Sequence, residues 1–278
     1  MRTQTLATLA VAAMLVLAGC SFAGGGQSTP TDGSGAVTDT PADDGSGPSG
    51  TESPAGQSFS YPAGYDEGGV VNATEAAASH RAALLATGGF TVDYDADVTT
   101  PNTTTYVRYD QRVETGSEEV VRQTNVTSGD LQGLVVRYYA DDTVYVKSQQ
   151  PGSENTTYAN SSQSYSLASF TGVEFVVPAL SDVSFASSER TTRDGTPVVV
   201  YSDATLDRAG SVFGNGVQAN NVSDFSATLV VGEDGIVREL TYSATVTTGG
   251  VDRQVDVTVR VSGVDETTVD QPDWLDQA

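Results

Sequence analysis

Strict alternation of apolar and polar side chains is the feature that most restricts what this chain can fold into. It is clearest at residues 255–261, where valine takes every second position and Asp256, Thr258 and Arg260 lie between. The same alternation recurs in three other stretches, residues 92–98, 225–231 and 240–246. One buried face and one solvated face are typical of strands in antiparallel sheets. Because no strand–helix–strand rhythm is present, the pattern predicts a mainly antiparallel β fold.

Short acidic turns separate several of these stretches. Three of them join apolar runs as hairpin turns do: Asp141-Asp142, Asp194-Gly195 and Asp234-Gly235. Asp-Gly is suited to the positive φ angles of a two-residue hairpin turn. The sequence therefore predicts three hairpins at these positions and about nine or ten strands in all.

Two stretches between the strands are less regular. Residues 164–180 carry apolar side chains at helical spacing, although residues 173–177 would equally suit a strand. Residues 203–213 predict a short helix, which is followed by a loop rich in Gly and Asn.

A helix is also predicted before the first long strand. Asn72 followed by Glu75 has the pattern of a capping box, and the alanine-rich run after it favours helix through Leu85. Gly88-Gly89 predicts the end of the helix. Helical spacing places on one face the side chains that we expect to pack on the sheet: Ala77, His80 (or Arg81) and Leu84.

The first twenty residues have the features of an export signal. Arg2 precedes an apolar run at residues 6–17, which is too short to span a hydrocarbon core of about 30 Å. The run ends in Leu17-Ala18-Gly19-Cys20, which resembles the lipobox of prokaryotic lipoproteins, where the cysteine sulfur carries the lipid. We therefore predict lipid attachment at Cys20. A plain secretory signal with a chance cysteine is the alternative.

Composition then divides the chain into three parts. Residues 1–19 are predicted to be the lipoprotein signal peptide. Residues 20–57 are rich in Gly, Ser, Thr and Pro and contain no Lys or Arg, so we expect a disordered acidic tether. Residues 58–278 carry the alternating pattern and are predicted to form a single globular domain.

The charge balance argues against nucleic-acid binding and indicates a high-salt environment. The chain has 36 acidic and 13 basic residues, and its net charge of −23 repels the phosphate backbone of nucleic acids. Lys147 is the only lysine. Because the Debye length shrinks to about 3 Å at 1 M salt, such a surface suits a high-salt habitat and predicts a halophile. An ordinary acidic secreted protein is the alternative.

Residues that usually carry catalysis are sparse. The sequence has one histidine, His80, and one cysteine, so it cannot supply the ligand sets of common zinc sites. No nucleophile elbow is present. Asp93, Asp95 and Asp97 do not continue as a calcium-binding loop, and we interpret them as a solvated strand face. His80 is interpreted as a residue of the helix–sheet interface. We expect no metal, no cofactor and no enzymatic activity.

Six Asn-x-Ser/Thr sequons occur, and an exported chain could carry glycans on them. We predict N-glycosylation at the three that are expected in polar loops, Asn102, Asn155 and Asn160.

Several short motifs resemble a haloarchaeal lipoprotein family of unknown function. Besides the lipobox and the tether, they are Tyr61-Pro62-Ala63-Gly64, the predicted helix around residues 79–84, Tyr138-Tyr139-Ala140-Asp141 and the Val-Gly-Glu-Asp-Gly turn at 231–235. The order of elements is also similar to that of LolA/LppX-type lipoprotein carriers.

The second resemblance implies an α+β, mainly antiparallel fold. A strongly curved sheet, or half-barrel, would hold the N-terminal helix and one or two further helices on its concave face and enclose an apolar cavity. The candidate cavity-lining residues are Leu84, Tyr138, Tyr145, Phe170 and Phe175. Packing of these aromatic side chains in a filled core is the alternative.

The sequence thus predicts a lipoprotein on the outer face of the cytoplasmic membrane, anchored through Cys20. Its expected action is to bind or carry a lipid-like ligand without chemistry. The alternative is a structural or interaction module of the cell envelope with a filled core and no ligand. The two differ in cavity volume, since ligand pockets measure about 300 Å³ or more.

Overall fold

The computed structural model describes residues 59–278. The predicted signal peptide, the lipid-attachment residue Cys20 and the tether lie outside the described residues. Within them, the predicted fold class is confirmed: a large antiparallel sheet curves around helices and does not close into a barrel.

A small hairpin of β1 (Tyr65–Asp66) and β2 (Gly69–Val70) precedes an eleven-stranded sheet. The first half of this sheet is a meander of β3 (Gly89–Thr100), β4 (Thr103–Glu114), β5 (Glu119–Ser128), β6 (Leu131–Ala140), β7 (Thr143–Gln149) and β8 (Thr156–Ser162). The second half is a meander of β9 (Val183–Arg193), β10 (Thr196–Leu206), β11 (Val222–Gly232), β12 (Val237–Thr248) and β13 (Val251–Ser262). The pairing of β13 with β3 joins the two halves, so the strand order is β8-β7-β6-β5-β4-β3-β13-β12-β11-β10-β9.

The three predicted hairpins are confirmed as the β6–β7, β9–β10 and β11–β12 connections. Asp141 and Asp142 both have positive φ, 49° and 54°, as a type I′ turn requires. Gly235 has a φ of 84°, and a Cβ there would lie 2.1 Å from Ser79 Oγ. This glycine therefore allows both the turn and the close approach of the hairpin to the N-terminal helix.

Three α-helices and several short 3₁₀ turns lie among the strands: α1 (Ala73–Leu85), α2 (Val173–Asp182) and α3 (Ala209–Phe213). The predicted cap of α1 is present, because Asn72 Oδ1 accepts hydrogen bonds from the backbone N–H groups of Thr74 (3.1 Å) and Glu75 (3.2 Å). Residues 173–177 are helical, so the helical alternative for that stretch is correct. Among the described helices, none is long and apolar enough to cross a membrane.

The main core lies between the concave face of the sheet and helices α1 and α2. Leu84 on α1, Phe90 on β3, Tyr201 on β10, Leu229 on β11 and Leu240 on β12 have no exposed surface. Strands β3, β12 and β13 alternate as the sequence predicts, with polar side chains on the convex face. The helices bury their apolar stripe against the sheet because no other layer is available to them.

A second apolar cluster covers part of the convex face. The C-terminal segment crosses β5–β8 there, and Val269 and Trp274 pack against Tyr138, with Tyr145 and Tyr158 beside them. The indole of Trp274 lies 6.2 Å from the ring of Tyr158. This half of the sheet therefore buries side chains on both faces, which a simple period of two does not predict.

Candidate functional site

An apolar cavity lies on the concave face, at the end of the sheet where the β3–β4 and β12–β13 hairpins turn. Its volume is about 90 Å³. The strands contribute Tyr94, Ala96, Val98, Val107, Tyr242, Val246, Thr248, Arg253, Val255 and Val257, and the helical side contributes Val212, Phe213 and Val217. Burial raises the pKa of Tyr94 to about 12 and that of Tyr242 well above its usual value, so both hydroxyls are uncharged at neutral pH.

Helix α3 covers this cavity. It has five residues, and its Phe213 ring packs edge-on against Tyr242 (5.9 Å between centroids) and Phe225 (6.2 Å). Together with Ala209, Ala244 and Val246, Phe213 forms a small cluster distinct from the main core. So short a helix has little stability of its own and is held by these contacts.

A second depression, of about 190 Å³, lies on the convex face across β11–β13. Hydroxyl and carboxylate side chains contribute most of its walls: Ser226, Thr228, Thr241, Ser243, Asp256 and Thr258. Because it is shallow and polar, it does not suit an apolar ligand.

The predicted cavity-lining residues lie elsewhere. Leu84 and Phe170 belong to the packed main core. Tyr138 and Tyr145 lie on the convex face beneath the C-terminal segment. Phe175 contacts the cavity wall, since its ring stacks on that of the cavity-lining Tyr94 with 4.6 Å between the ring centroids. None of the five is among the side chains that form the cavity wall. Tyr138 and Tyr139 are adjacent and face opposite sides of β6, so period two alone cannot assign either to the interior.

The residues that do line the cavity carried a signal in the sequence. Residues 242–246 and 255–257 belong to the alternating stretches, so their inward orientation is predictable. The position at which α3 packs on the concave face determines where a cavity remains. The sequence of Ala209–Phe213 does not indicate that position.

His80 is buried in the helix–sheet interface and forms hydrogen bonds through both ring nitrogens. Its side chain has no exposed surface; Nε2 donates to Thr171 O (3.0 Å) and Nδ1 accepts from the backbone N–H of Val237 (3.1 Å). Burial lowers its pKa to about 4, so the ring is neutral at physiological pH. With both ring nitrogens engaged, His80 has none left to carry a proton for a ligand.

This environment predicts a pH dependence of stability. The unfolded chain binds a proton at His80 below about pH 6.5 and the folded chain only below about pH 4, so stability falls as the pH drops through that window. The loss attributable to His80 is on the order of 3 kcal/mol at 1.36 kcal/mol per pH unit. Urea unfolding of wild type and His80→Gln across this range measures it. The carboxylates titrate in both proteins, so a stability difference that does not change with pH would contradict the prediction.

The acidic side chains of β3 form a solvated face with a cross-strand arginine. Arg108 Nε lies 2.8 Å from Asp95 Oδ1, and Arg108 Nη1 lies 2.6 Å from Asp97 Oδ1. Partial burial, and then the carboxylate of Asp110 directly opposite, raise the pKa of Asp93. Within residues 59–278, no group of three or more His, Cys, Asp or Glu side chains is arranged to hold a metal ion.

The candidate glycosylation residues Asn102, Asn155 and Asn160 are all exposed. Asn102 and Asn155 lie in loops as predicted. Asn160 lies in the edge strand β8, so its predicted loop position is wrong. Residues 156–162 are mostly polar and do not alternate with apolar residues, so the sequence pattern does not predict β8. The sheet therefore has more strands than the nine or ten predicted.

Comparisons with known proteins give one family and several loose structural likenesses. The sequence model of a "Family of unknown function (DUF7537)" matches residues 5–278. No curated protein matches the chain.

Two mycobacterial proteins are among the similar solved structures. Lipoprotein LppX of Mycobacterium tuberculosis is 15% identical with a TM-score of 0.34, and the match covers 71% of this chain and 97% of LppX. LprF of Mycobacterium bovis is 12% identical with a TM-score of 0.37, over 72% of this chain and 96% of LprF.

A third likeness is to a putative outer membrane lipoprotein-sorting protein domain of Vibrio parahaemolyticus. It is 8% identical with a TM-score of 0.25, over 73% of this chain and 96% of that domain. Similarity at this level does not transfer a function, so the site has to be interpreted from its own geometry.

Proposed function

This chain belongs to DUF7537, a family of unknown function, and from its own geometry we propose that it is a membrane-anchored extracytoplasmic protein that binds an apolar, lipid-like ligand. The observation that carries the proposal is the apolar cavity on the concave face of the half-barrel. The proposed action is non-covalent binding or handover, without catalysis, metal or cofactor.

The size of the cavity sets a condition on this function. Its volume of about 90 Å³ is well below the ~300 Å³ at which ligand pockets begin. A lipid chain therefore enters only if the cavity enlarges. Helix α3 is the wall that can move at least cost, because it is short and packs in its own small cluster rather than in the main core.

The same small volume favours a second candidate function. If α3 stays in place, the interior is essentially filled and the protein is a structural or interaction module of the cell envelope. The two functions differ in whether the cavity takes up a ligand, so a variant that fills the cavity distinguishes them.

Val255→Phe is expected to prevent ligand uptake, because Val255 lines the cavity and a phenyl ring would occupy its free volume. Val251→Phe on the same strand is the matched control, since Val251 is 42% exposed and does not line the cavity. Mass spectrometry of organic extracts from natively purified proteins measures the bound lipid. We expect lipid with wild type and Val251→Phe and at least a tenfold loss with Val255→Phe. If wild type carries no lipid, or if Val255→Phe retains it, the cavity is not the binding site and the structural module is favoured.

The membrane anchor is a separate prediction. Cys20→Ser removes the thiol that the lipobox-like motif offers for lipidation, so we expect the variant to be released into the medium or left unprocessed. Fractionation of cells and medium, followed by mass measurement of the mature N-terminus, checks this. A Cys20→Ser protein that is processed and stays with membranes like wild type would show that Cys20 is not the anchor.

A further inference from the structure

Most of the basic side chains in this acidic protein are paired with carboxylates. Seven arginines have a carboxylate oxygen within 4.0 Å: Arg108, Arg112, Arg190, Arg193, Arg208, Arg238 and Arg260. With 36 acidic and 13 basic residues, the chain has carboxylates to spare for every cation. Within residues 59–278, the basic side chains without such a partner are Arg81, Arg122, Arg137, Lys147 and Arg253.

Arg122 and Arg137 are two such side chains, and they face each other. They are direct cross-strand partners of β5 and β6, so their side chains share one face of the sheet. Gln111 on β4 continues the same row, and its Nε2 donates to the backbone O of Phe170 in the main core, which identifies this face as the concave one. Within residues 59–278, neither arginine has a carboxylate within 4.0 Å, and Arg137 forms no hydrogen bond or ring contact. Like charges directly opposite one another destabilise a sheet.

Arg122 is held in a fixed orientation. Gln111 Oε1 accepts from its Nε (3.1 Å) and its Nη2 (2.8 Å). Its guanidinium carbon lies 5.0 Å from the ring centroids of both Tyr109 and Phe170, so the group is packed between two aromatic side chains. One edge of the guanidinium is thus used for positioning. The N–H groups at Nη1 make no hydrogen bond within the described part of the chain and could donate to an anion.

Glu174 on α2 is an acidic side chain that interacts electrostatically with Arg122. Burial raises the pKa of Glu174 on α2, while the charges of Arg122 and Arg81 lower it. The charge of Arg122 therefore acts on Glu174, but the two side chains do not form an ion pair within 4.0 Å.

A row of concave-face side chains joins the arginine pair to the cavity. Val107 lines the cavity, and its cross-strand partner on β5 is Val126. Val126 lies four residues from Arg122 on the same face, about 13 Å at 3.3 Å per residue. Thr124 lies between them, with Tyr109 and Val135 as its cross-strand partners, so the row is largely apolar. A cationic pair at one end of a largely apolar row matches an amphiphile with an anionic head.

We propose that Arg122 and Arg137 bind the anionic head group, a phosphate or carboxylate, of an amphiphilic ligand whose apolar chain extends toward the cavity. The inference rests on the proposed function and specifies its ligand class. A planar guanidinium donates two parallel hydrogen bonds to a phosphate or carboxylate, and a bound anion would relieve the repulsion between the two arginines. The partly buried position matters because salt screens such contacts less than it screens exposed ones.

Isothermal titration of the purified full-length protein with three probes tests this proposal: dodecyl phosphate below its micellar concentration, dodecanol, and inorganic phosphate. We expect dodecyl phosphate to bind at least about tenfold more tightly than dodecanol, and inorganic phosphate to bind much more weakly than dodecyl phosphate. Arg137→Gln should lower the affinity for dodecyl phosphate about tenfold and leave that for dodecanol within about twofold.

Lys147→Gln is the matched control. Lys147 lies on β7 next to Val146 and therefore points to the convex face, so the variant removes the same charge from the other side of the sheet. It should leave the affinity for all three probes unchanged. Arg122→Gln should act like Arg137→Gln. If loss of its stacking prevents folding, Arg137→Gln alone decides, because Arg137 has no hydrogen bond or ring contact to lose within the described residues.

The outcomes separate the two proposals. Equal affinity for dodecyl phosphate and dodecanol, with neither affected by Arg137→Gln, would overturn the head-group assignment and leave the apolar-ligand proposal standing. If inorganic phosphate binds as tightly as dodecyl phosphate and Arg137→Gln abolishes both, the pair is a site for free phosphate and the amphiphile is wrong. If neither dodecanol nor dodecyl phosphate binds, the proposed function fails together with this inference.

Discussion

His80→Ala is expected to lower the free energy of unfolding by about 3–5 kcal/mol, because it combines two costs. The substitution leaves Thr171 O and the Val237 N–H without their side-chain partner in the interior. Each unsatisfied buried group costs about 1–3 kcal/mol. The loss of the imidazole also leaves a cavity between α1 and the β11–β12 hairpin, so neighbouring side chains lose contacts.

Chemical denaturation at pH 7.5 or above, where His80 is neutral in both states, measures this loss without the titration of the ring. Arg81→Ala is the control, since the side chain of the neighbouring Arg81 is partly exposed and forms no hydrogen bond within the described residues; it should cost less than about 1 kcal/mol. A loss below about 1 kcal/mol for His80→Ala would mean that the two hydrogen bonds are not formed or that water replaces the ring.

Leu84→Ala is expected to cost about 2–5 kcal/mol, because Leu84 has no exposed surface and belongs to the main core. Leu85 next to it is only partly buried, so Leu85→Ala should cost less than half as much. Denaturation with urea of both variants measures the difference. Equal losses would mean that α1 packs on the sheet through a different face.

The stability loss of Leu84→Ala measures packing of the main core and does not test ligand binding. Leu84 lies outside the cavity wall, so added lipid should not change its cost even if the protein is a carrier. Only substitutions at cavity positions such as Val255 separate the carrier from a structural module. This assignment follows from the position of α3 over the β12–β13 end of the sheet.

Local rules account for much of the fold. The alternation at residues 255–261 predicts β13 because side chains of a strand point to opposite faces whatever lies around it. Asp141-Asp142 and Asp234-Gly235 predict their turns because few residue types accept positive φ. Asn72 predicts the start of α1 because its side chain reaches the free N–H groups of its own first turn.

Contacts between distant segments decided the rest. His80 finds its partners 91 and 157 residues away, so its role follows from packing and not from its neighbours in the sequence. Tyr138 and Tyr139 are alike in type, and the C-terminal segment with Trp274 determines that Tyr138 is buried on the convex face. The arginine pair exists only because β5 and β6 meet in the register that places Arg122 opposite Arg137. The sequence by itself determined the elements and their turns, because these depend on sterics and hydrogen bonds within a few residues. The tertiary structure decided which faces are covered and where a cavity remains, because burial depends on segments that are far apart in the chain.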